Sequence, residues 1–370
     1  MKILVVFGTR PEAIKMCPLV MELRKKSGIE CLVCLTGQHR EMLRQVMDAF
    51  GLREDFNLNI MRDCQTLTTI TVDILQRMES VLIQERPQLV LVHGDTTTSY
   101  AAALAAFYQQ IPVGHVEAGL RTGDIYSPYP EEMNRLLTDR ISTYYFAPTK
   151  RNRENLFREG IERNVFVTGN TVIDSFAYTV KENYIFREQA LNVIDNEWTK
   201  LILVTAHRRE NWGQPLERIC RAIRRLADEF KDEVRFLYPI HLNPAVRETV
   251  YGILAGKENV LLTDPIDVLD MHNLLPRCYM VMTDSGGIQE EAPHFGKPVL
   301  VLREETERPE AVEAGTVKVV GTDEERIYQE GKELLCDADK YAKMAKAANP
   351  YGDGHACQRI VKLILEILQI

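Results

Sequence analysis

Three acidic residues follow short apolar runs, where an α/β protein presents its working groups. Asp95 stands in "VHGDTTTS", Glu117 in "GHVEAGLRT" and Glu131 in "SPYPEEMNR". Each has a plain structural reading. An Asp at a helix start serves as an N-cap, and Glu131, after Pro130, sits where the helix dipole favours acids anyway. Their arrangement points further. Asp95 and Glu117 follow two successive predicted strands, so their side chains can converge. Converging carboxylates drive their pKa values apart, the arrangement that acid/base chemistry uses. The stretch "HVEAGLRTGDIYSPYPEEMNR" (115–135) has neither helical period nor strand alternation. Its glycines and prolines can route Glu117 and Glu131 toward one point, while Arg121, Asp124 and Glu132 receive no role.

A second set of residues suits an anion. In "FGTRPEAIK", Gly8 and Thr9 make a tight turn, Pro11 fits the first helical position, and Arg10 and Lys15 lie at the positive helix end. Solvated charges beside a plain turn are the equal alternative. "TDSGGIQEEAPHFGKP" is stronger: Ser285, Gly286 and Gly287 open a helix whose bare backbone can approach a phosphate, and Glu291 can accept from ribose hydroxyls. The bland reading of Ser285 is an N-cap. "VTAHRREN" presents His207 and Arg208 after another strand, "YPIHLNP" presents His241, and "TERPEAVEAG" carries Arg308 in a charged loop. No GxGxxG occurs, which disfavours a nicotinamide dinucleotide.

The elements that must position these groups repeat. Unalternating apolar runs at 3–7, 31–35, 89–93 and 112–116, then "YYFA" and "VFVT", each lead through a polar turn to a helical pattern. The pattern restarts at 201–206 and continues through 235–240, "NVLLT", 279–283, 298–302 and 317–320. Such runs read as parallel strands covered on both faces. Two series predict two doubly wound, Rossmann-like α/β domains, 1–169 and 170–354, with a long amphipathic helix at 355–370. The 370 residues, 45% hydrophobic and 26% charged, fit a globular protein, and a net charge of −8 argues against a nucleic-acid binder. The N-terminal apolar run is too short for a signal peptide or a span, so a cytoplasmic protein is expected. Cys31 and Cys34 fall on opposite faces of a strand and cannot grip one ion, so no metal is expected there.

Together, in this order, "FGTRPEAIK", "TGQHREML", "VHGDTTT", "GHVEAGLRT", "SPYPEEMNR", "TGNTVID", "TAHRREN", "TDSGGIQEE", "TERPEAVEAGT" and "NPYGDGHA" closely resemble the non-hydrolysing UDP-N-acetylglucosamine 2-epimerase family. The resemblance implies a glycosyltransferase-B type fold, two domains facing a cleft with the final helix (355–370) crossing back to complete the first, and interconversion of UDP-GlcNAc and UDP-ManNAc without cofactor or obligatory metal. UDP is eliminated across C1–C2 to give 2-acetamidoglucal and is then added back. It implies Asp95, Glu117 and Glu131 around the sugar, and UDP held by Arg10, Lys15, His207, Met271, Ser285, Gly286, Gly287, Glu291 and Arg308. His207 is also counted among the catalytic groups. Met271 stands where many relatives have an aromatic residue. Some members bind a second UDP-GlcNAc as activator, and Gln38, Glu131, Arg208 and His241 match that site. Cys64 and Glu41 replace an arginine and a glutamine there, so weakened activation is expected. A homodimer is implied as well, with no nucleic-acid or membrane partner. The alternatives are a hydrolysing epimerase releasing ManNAc and UDP, a glycosyltransferase of the same fold, and a catalytically silent nucleotide-sugar sensor.

Overall fold

The computed structural model describes residues 1–37, 40–62, 65–194 and 200–368. The chain forms two compact units, Met1–Thr179 with the chain from Tyr351 onward, and Val180–Pro350. The first unit thus runs past the expected boundary at Gly169. The reason is helix Thr171–Thr179, which buries Val172, Ile173 and Phe176 and packs on helices Arg10–Arg24 and Ala356–Ile367.

In the first unit seven parallel strands, β1 (Lys2–Phe7), β2 (Glu30–Leu35), β3 (Phe56–Asn57), β4 (Leu89–His93), β5 (Val113–Val116), β6 (Tyr144–Ala147) and β7 (Val165–Val167), line up in the order 3-2-1-4-5-6-7. The apolar runs become strands because both faces are covered: Ile3 through Phe7 are fully buried. Leu4, Val6, Val90 and Val92 pack with Ile74 and Met78 from helix Leu67–Glu85 and with the alanines of helix Thr97–Tyr108. Those small side chains let the two helices pack closely. The last helix, Ala356–Ile367, buries Ile360, Val361 and Ile364. Its own N-cap residue, His355, makes no side-chain cap bond. Asp174 serves instead, accepting from the N–H groups of Ala356 (3.1 Å) and Cys357 (2.7 Å).

The second unit has six parallel strands, β8 (Lys200–Thr205), β9 (Val234–Pro239), β10 (Val260–Thr263), β11 (Met280–Thr283), β12 (Val299–Val301) and β13 (Val317–Val319), ordered 10-9-8-11-12-13. Its core joins Ile202, Val204, Phe236 and Met282 to Leu216, Ile219, Ile223 and Leu226 of helix Gln214–Glu229. In each sheet the strand order reverses direction at a central pair, β1/β4 in the first and β8/β11 in the second. Open α/β sheets take ligands just beyond the carboxyl ends of such strands. Among the described residues no helix is long and apolar enough to cross a membrane. Cys31 and Cys34 are free and buried, and burial pushes both thiols up to about 12.

Candidate active site

The turns that follow β1, β4 and β5 carry the first unit's candidates. Thr9 caps helix Arg10–Arg24 in a capping box with the buried Glu12, which puts half-buried Arg10 at the first helical position. Lys15, one turn in, does not stand free for an anion: its ammonium pairs with the Glu117 carboxylate. Asn170 Nδ2 donates to the same carboxylate at 3.1 Å, and His93 Nε2 lies 3.6 Å away. Glu117 holds this position from a left-handed backbone (φ 67°), a conformation that is strained for a residue with a side chain and that clusters at functional sites. Burial alone would raise its pKa. The charges of Lys15 and His93 reverse that and hold the carboxyl well below its usual range.

Asp95 is not the N-cap of the helix it precedes; Thr96 fills that place by accepting from Ser99 N–H. The Asp95 carboxylate instead pairs with Arg135, which is buried and also donates to Glu132 at 2.6 Å. Glu131 begins helix Glu131–Ile141, as expected. One of its carboxylate oxygens is buried without a hydrogen-bond partner among the described residues.

The irregular stretch between these acids is tied down by the residues that had no role. Glu132 accepts from Thr122 N–H (3.0 Å) and Gly123 N–H (3.2 Å), which fastens the loop to the helix. Arg121 donates to Asp139 (2.7 Å) and to Glu159 (2.6 and 2.8 Å). Asp139, fully buried, also faces His115 Nδ1 at 2.6 Å, and His115 Nε2 meets the Gly94 carbonyl at 2.8 Å. A buried histidine thus ties the turn before Asp95 to the strand before Glu117. Gly119 (φ 85°) has no alternative, because a Cβ there would lie 2.2 Å from the Asn152 carbonyl oxygen. Asp124 accepts from Tyr126 N–H at 2.9 Å and shapes only the loop tip, which contains cis Ser127–Pro128 and Tyr129–Pro130 bonds.

In the second unit the candidates gather beyond β8 and β11. Ser285 precedes helix Gly286–Glu291 but makes no side-chain cap bond, so its hydroxyl is not spent as the N-cap that sequence alone allowed. The guanidinium groups of Arg208 and Arg308 both approach the bare Cα of Gly286, within 3.6 to 3.8 Å of where a Cβ would be. Two cations over a side-chain-free helix start have the chemistry to hold an anion. Arg308 is fixed by Glu290, and Arg208 lies 3.4 Å from Glu307. His207 stacks on His241 with centroids 5.6 Å apart and planes 7° off parallel. Burial pushes the His207 pKa down, Asp284 opposes this, and His241 and Arg208 add to the lowering. Glu291 is largely buried beside Gly287, 3.9 Å from His272, and half-buried Met271 lies on helix Val268–Leu274. Gln38, Cys64 and the Glu41 side chain lie outside the described residues. Among the described residues no cluster of His, Cys, Asp and Glu could hold a metal.

The sequence model of a family described as UDP-N-acetylglucosamine 2-epimerase matches residues 21–365. The UDP-N-acetylglucosamine 2-epimerase of Bacillus subtilis (strain 168) is 54% identical over 99% of this chain and 95% of its own length. The chain belongs to the UDP-N-acetylglucosamine 2-epimerase family. The structure of the Neisseria meningitidis UDP-GlcNAc 2-epimerase bound to UDP-GlcNAc superposes on this epimerase with a TM-score of 0.89 at 48% identity, over 99% of this chain and all of that one. The glycotransferase of kitacinnamycin, 13% identical, shares its fold alone, with a TM-score of 0.66 over 99% and 98% of the two chains. The expected family, the glycosyltransferase-B type class of two doubly wound units and the epimerase activity are thus borne out. Lys15, His93, Asn170 and Arg135 complete the setting of this epimerase's acids, and Asp284 and Glu290 that of its candidate anion site; sequence reasoning gave His93, Asn170, Arg135, Asp284 and Glu290 no part.

Proposed function

We propose that the chain interconverts UDP-GlcNAc and UDP-ManNAc by eliminating UDP across C1–C2 to 2-acetamidoglucal and adding it back. The observation that carries this reading is the Glu117 carboxylate, paired with Lys15 and held from a left-handed backbone just after β5, the strand beside β4, which Asp95 follows. The C2 hydrogen is a poor acid, so elimination needs help at both ends of the breaking bonds. Glu117, held ionised, suits acceptance of the C2 proton or stabilisation of positive charge at C1, with Asp95 and Glu131 completing the acids around the sugar. Arg10, Arg308, Ser285, Gly286, Gly287 and His207 take the diphosphate, Glu291 the ribose, and Met271 covers the uracil; Lys15, expected on the diphosphate, instead holds Glu117 ionised. A bound UDP-GlcNAc in the Neisseria meningitidis relative supports this substrate.

The enzyme works in the cytoplasm as a homodimer and supplies ManNAc units to a glycosyltransferase that builds surface polysaccharide. Exposed apolar side chains on two packed helices, Val72 and Ile83 with Phe107 and Tyr108, support self-association. Incubation with UDP-GlcNAc, followed by NMR of the products, tests the reaction. A mixture of UDP-GlcNAc and UDP-ManNAc is expected. Free ManNAc with stoichiometric UDP would overturn the reading in favour of a hydrolysing enzyme.

A further inference from the structure

His207 and Asp284 follow β8 and β11, which pair directly at the centre of the second sheet. Asp284 is fully buried, an uncommon place for a carboxylate. Its Oδ2 accepts from His207 N–H (2.8 Å), Arg208 N–H (2.8 Å) and Asn211 Nδ2 (3.0 Å). Those three donors fix the carboxylate rigidly and use only one of its oxygens. Oδ1 is buried too, accepts no hydrogen bond among the described residues, and lies 3.7 Å from His207 Nδ1. A buried acceptor without a donor is unfavourable, and a small turn of the imidazole would satisfy it. The ring has room to turn, since the side chain is 45% exposed. Its stacking on His241 limits the orientations available.

We propose that Asp284 is the positioning residue of His207: Oδ1 accepts the Nδ1–H, fixes the tautomer, and turns Nε2 toward the substrate's diphosphate. The proposal rests on the reading of His207 as a group that acts on UDP. In the free ring Nε2 then carries the lone pair. It takes a proton from solvent when the diphosphate arrives and returns it when the nucleotide leaves, and Asp284 stabilises the imidazolium, as the carboxylate behind a catalytic histidine does. During elimination the C1–O bond breaks and its electron pair remains on the β-phosphate oxygen. The Nε2–H meets that oxygen with a charge-assisted hydrogen bond. Re-addition reverses the step, and the ring neither supplies nor consumes a net proton over the cycle.

The test uses the full chain, labelled with nitrogen-15, and reads the His207 ring by NMR, with a His207→Gln sample to assign the signal. The Nδ1–H tautomer is expected in the free protein. Asp284→Asn should shift the ring toward Nε2–H and lower kcat by about 10²–10⁴-fold, with KM changed far less. A free wild-type ring in the Nε2–H tautomer overturns the proposal, as does a folded Asp284→Asn variant with wild-type kcat. Should Asp284→Asn fail to fold, the wild-type tautomer decides alone. Full activity in His207→Gln would sink the role of His207 on UDP; the tautomer would still decide whether Asp284 sets the ring.

Discussion

Burial by itself would protonate Glu117 more readily, yet Lys15 and His93 hold it as a carboxylate. That balance makes the residue a base or an electrostatic partner rather than a reserve of protons. Glu117→Gln should therefore lower kcat by about 10²–10⁴-fold while UDP affinity, measured by calorimetry, stays near wild type. Equal loss of both would make Glu117 structural. Asp139 carries a different burden. Burial raises its pKa, but His115 and Arg121 outweigh that and lower it. Its depressed pKa contributes stability that is present above the unfolded value and lost only as pH falls through the folded one. Asp139→Asn should destabilise by about 1–3 kcal/mol at neutral pH in denaturant titrations, because it removes the charge that Arg121 and His115 face while Glu159 still holds Arg121. The difference should shrink only below the usual Asp range. The acids and the anion-binding turns were legible because their residue types follow strand ends in the sequence itself. Their partners were not: Lys15 and Glu117 are 102 positions apart, Asp95 and Arg135 are 40, and no local pattern links them.

At the scale of elements, twelve strands among the described residues coincide with apolar runs, the central ones because parallel strands buried on both faces must be apolar throughout. β3 has no such signature. It is a two-residue edge strand, Phe56–Asn57, set by its pairing with Cys34 and Leu35 rather than by its own composition. The expected Asp95 N-cap went to Thr96, one position on, because Arg135 draws the Asp95 carboxylate away. Two substitutions test the element-level account. Asp174→Ala removes both donors' acceptor at the start of helix Ala356–Ile367 and should destabilise by about 0.5–2 kcal/mol, seen as faster amide exchange in that helix's first turn. Gly119→Ala forces a Cβ onto the Asn152 carbonyl at a left-handed position. It should destabilise the fold by more than about 1 kcal/mol in denaturant titrations, the opposite sign to a Gly→Ala change at an unstrained position.

Over the whole molecule, the sequence revealed two β/α series and the family resemblance returned the final helix to the first unit, but neither showed that this unit also keeps helix Thr171–Thr179. Composition cannot disclose which core a terminal amphipathic helix covers; Asp174 and the buried face of Ala356–Ile367 decide it. Regulation belongs to this scale too. The family resemblance sets Cys64 and Glu41 where an arginine and a glutamine are expected at an activator site, and we propose that losing a cation and gaining a carboxylate there weakens activation by UDP-GlcNAc. The rate against UDP-ManNAc should then be hyperbolic without added UDP-GlcNAc, and strict dependence on it would refute weakened activation. The central claim is that the enzyme breaks and remakes the C2–H bond while UDP departs and returns. Running the reaction in deuterium oxide and reading C2 by NMR tests it most directly. Deuterium is expected at C2 of the UDP-ManNAc formed, with 2-acetamidoglucal and UDP detectable at low level; product that keeps its original C2 hydrogen would rule out elimination and re-addition.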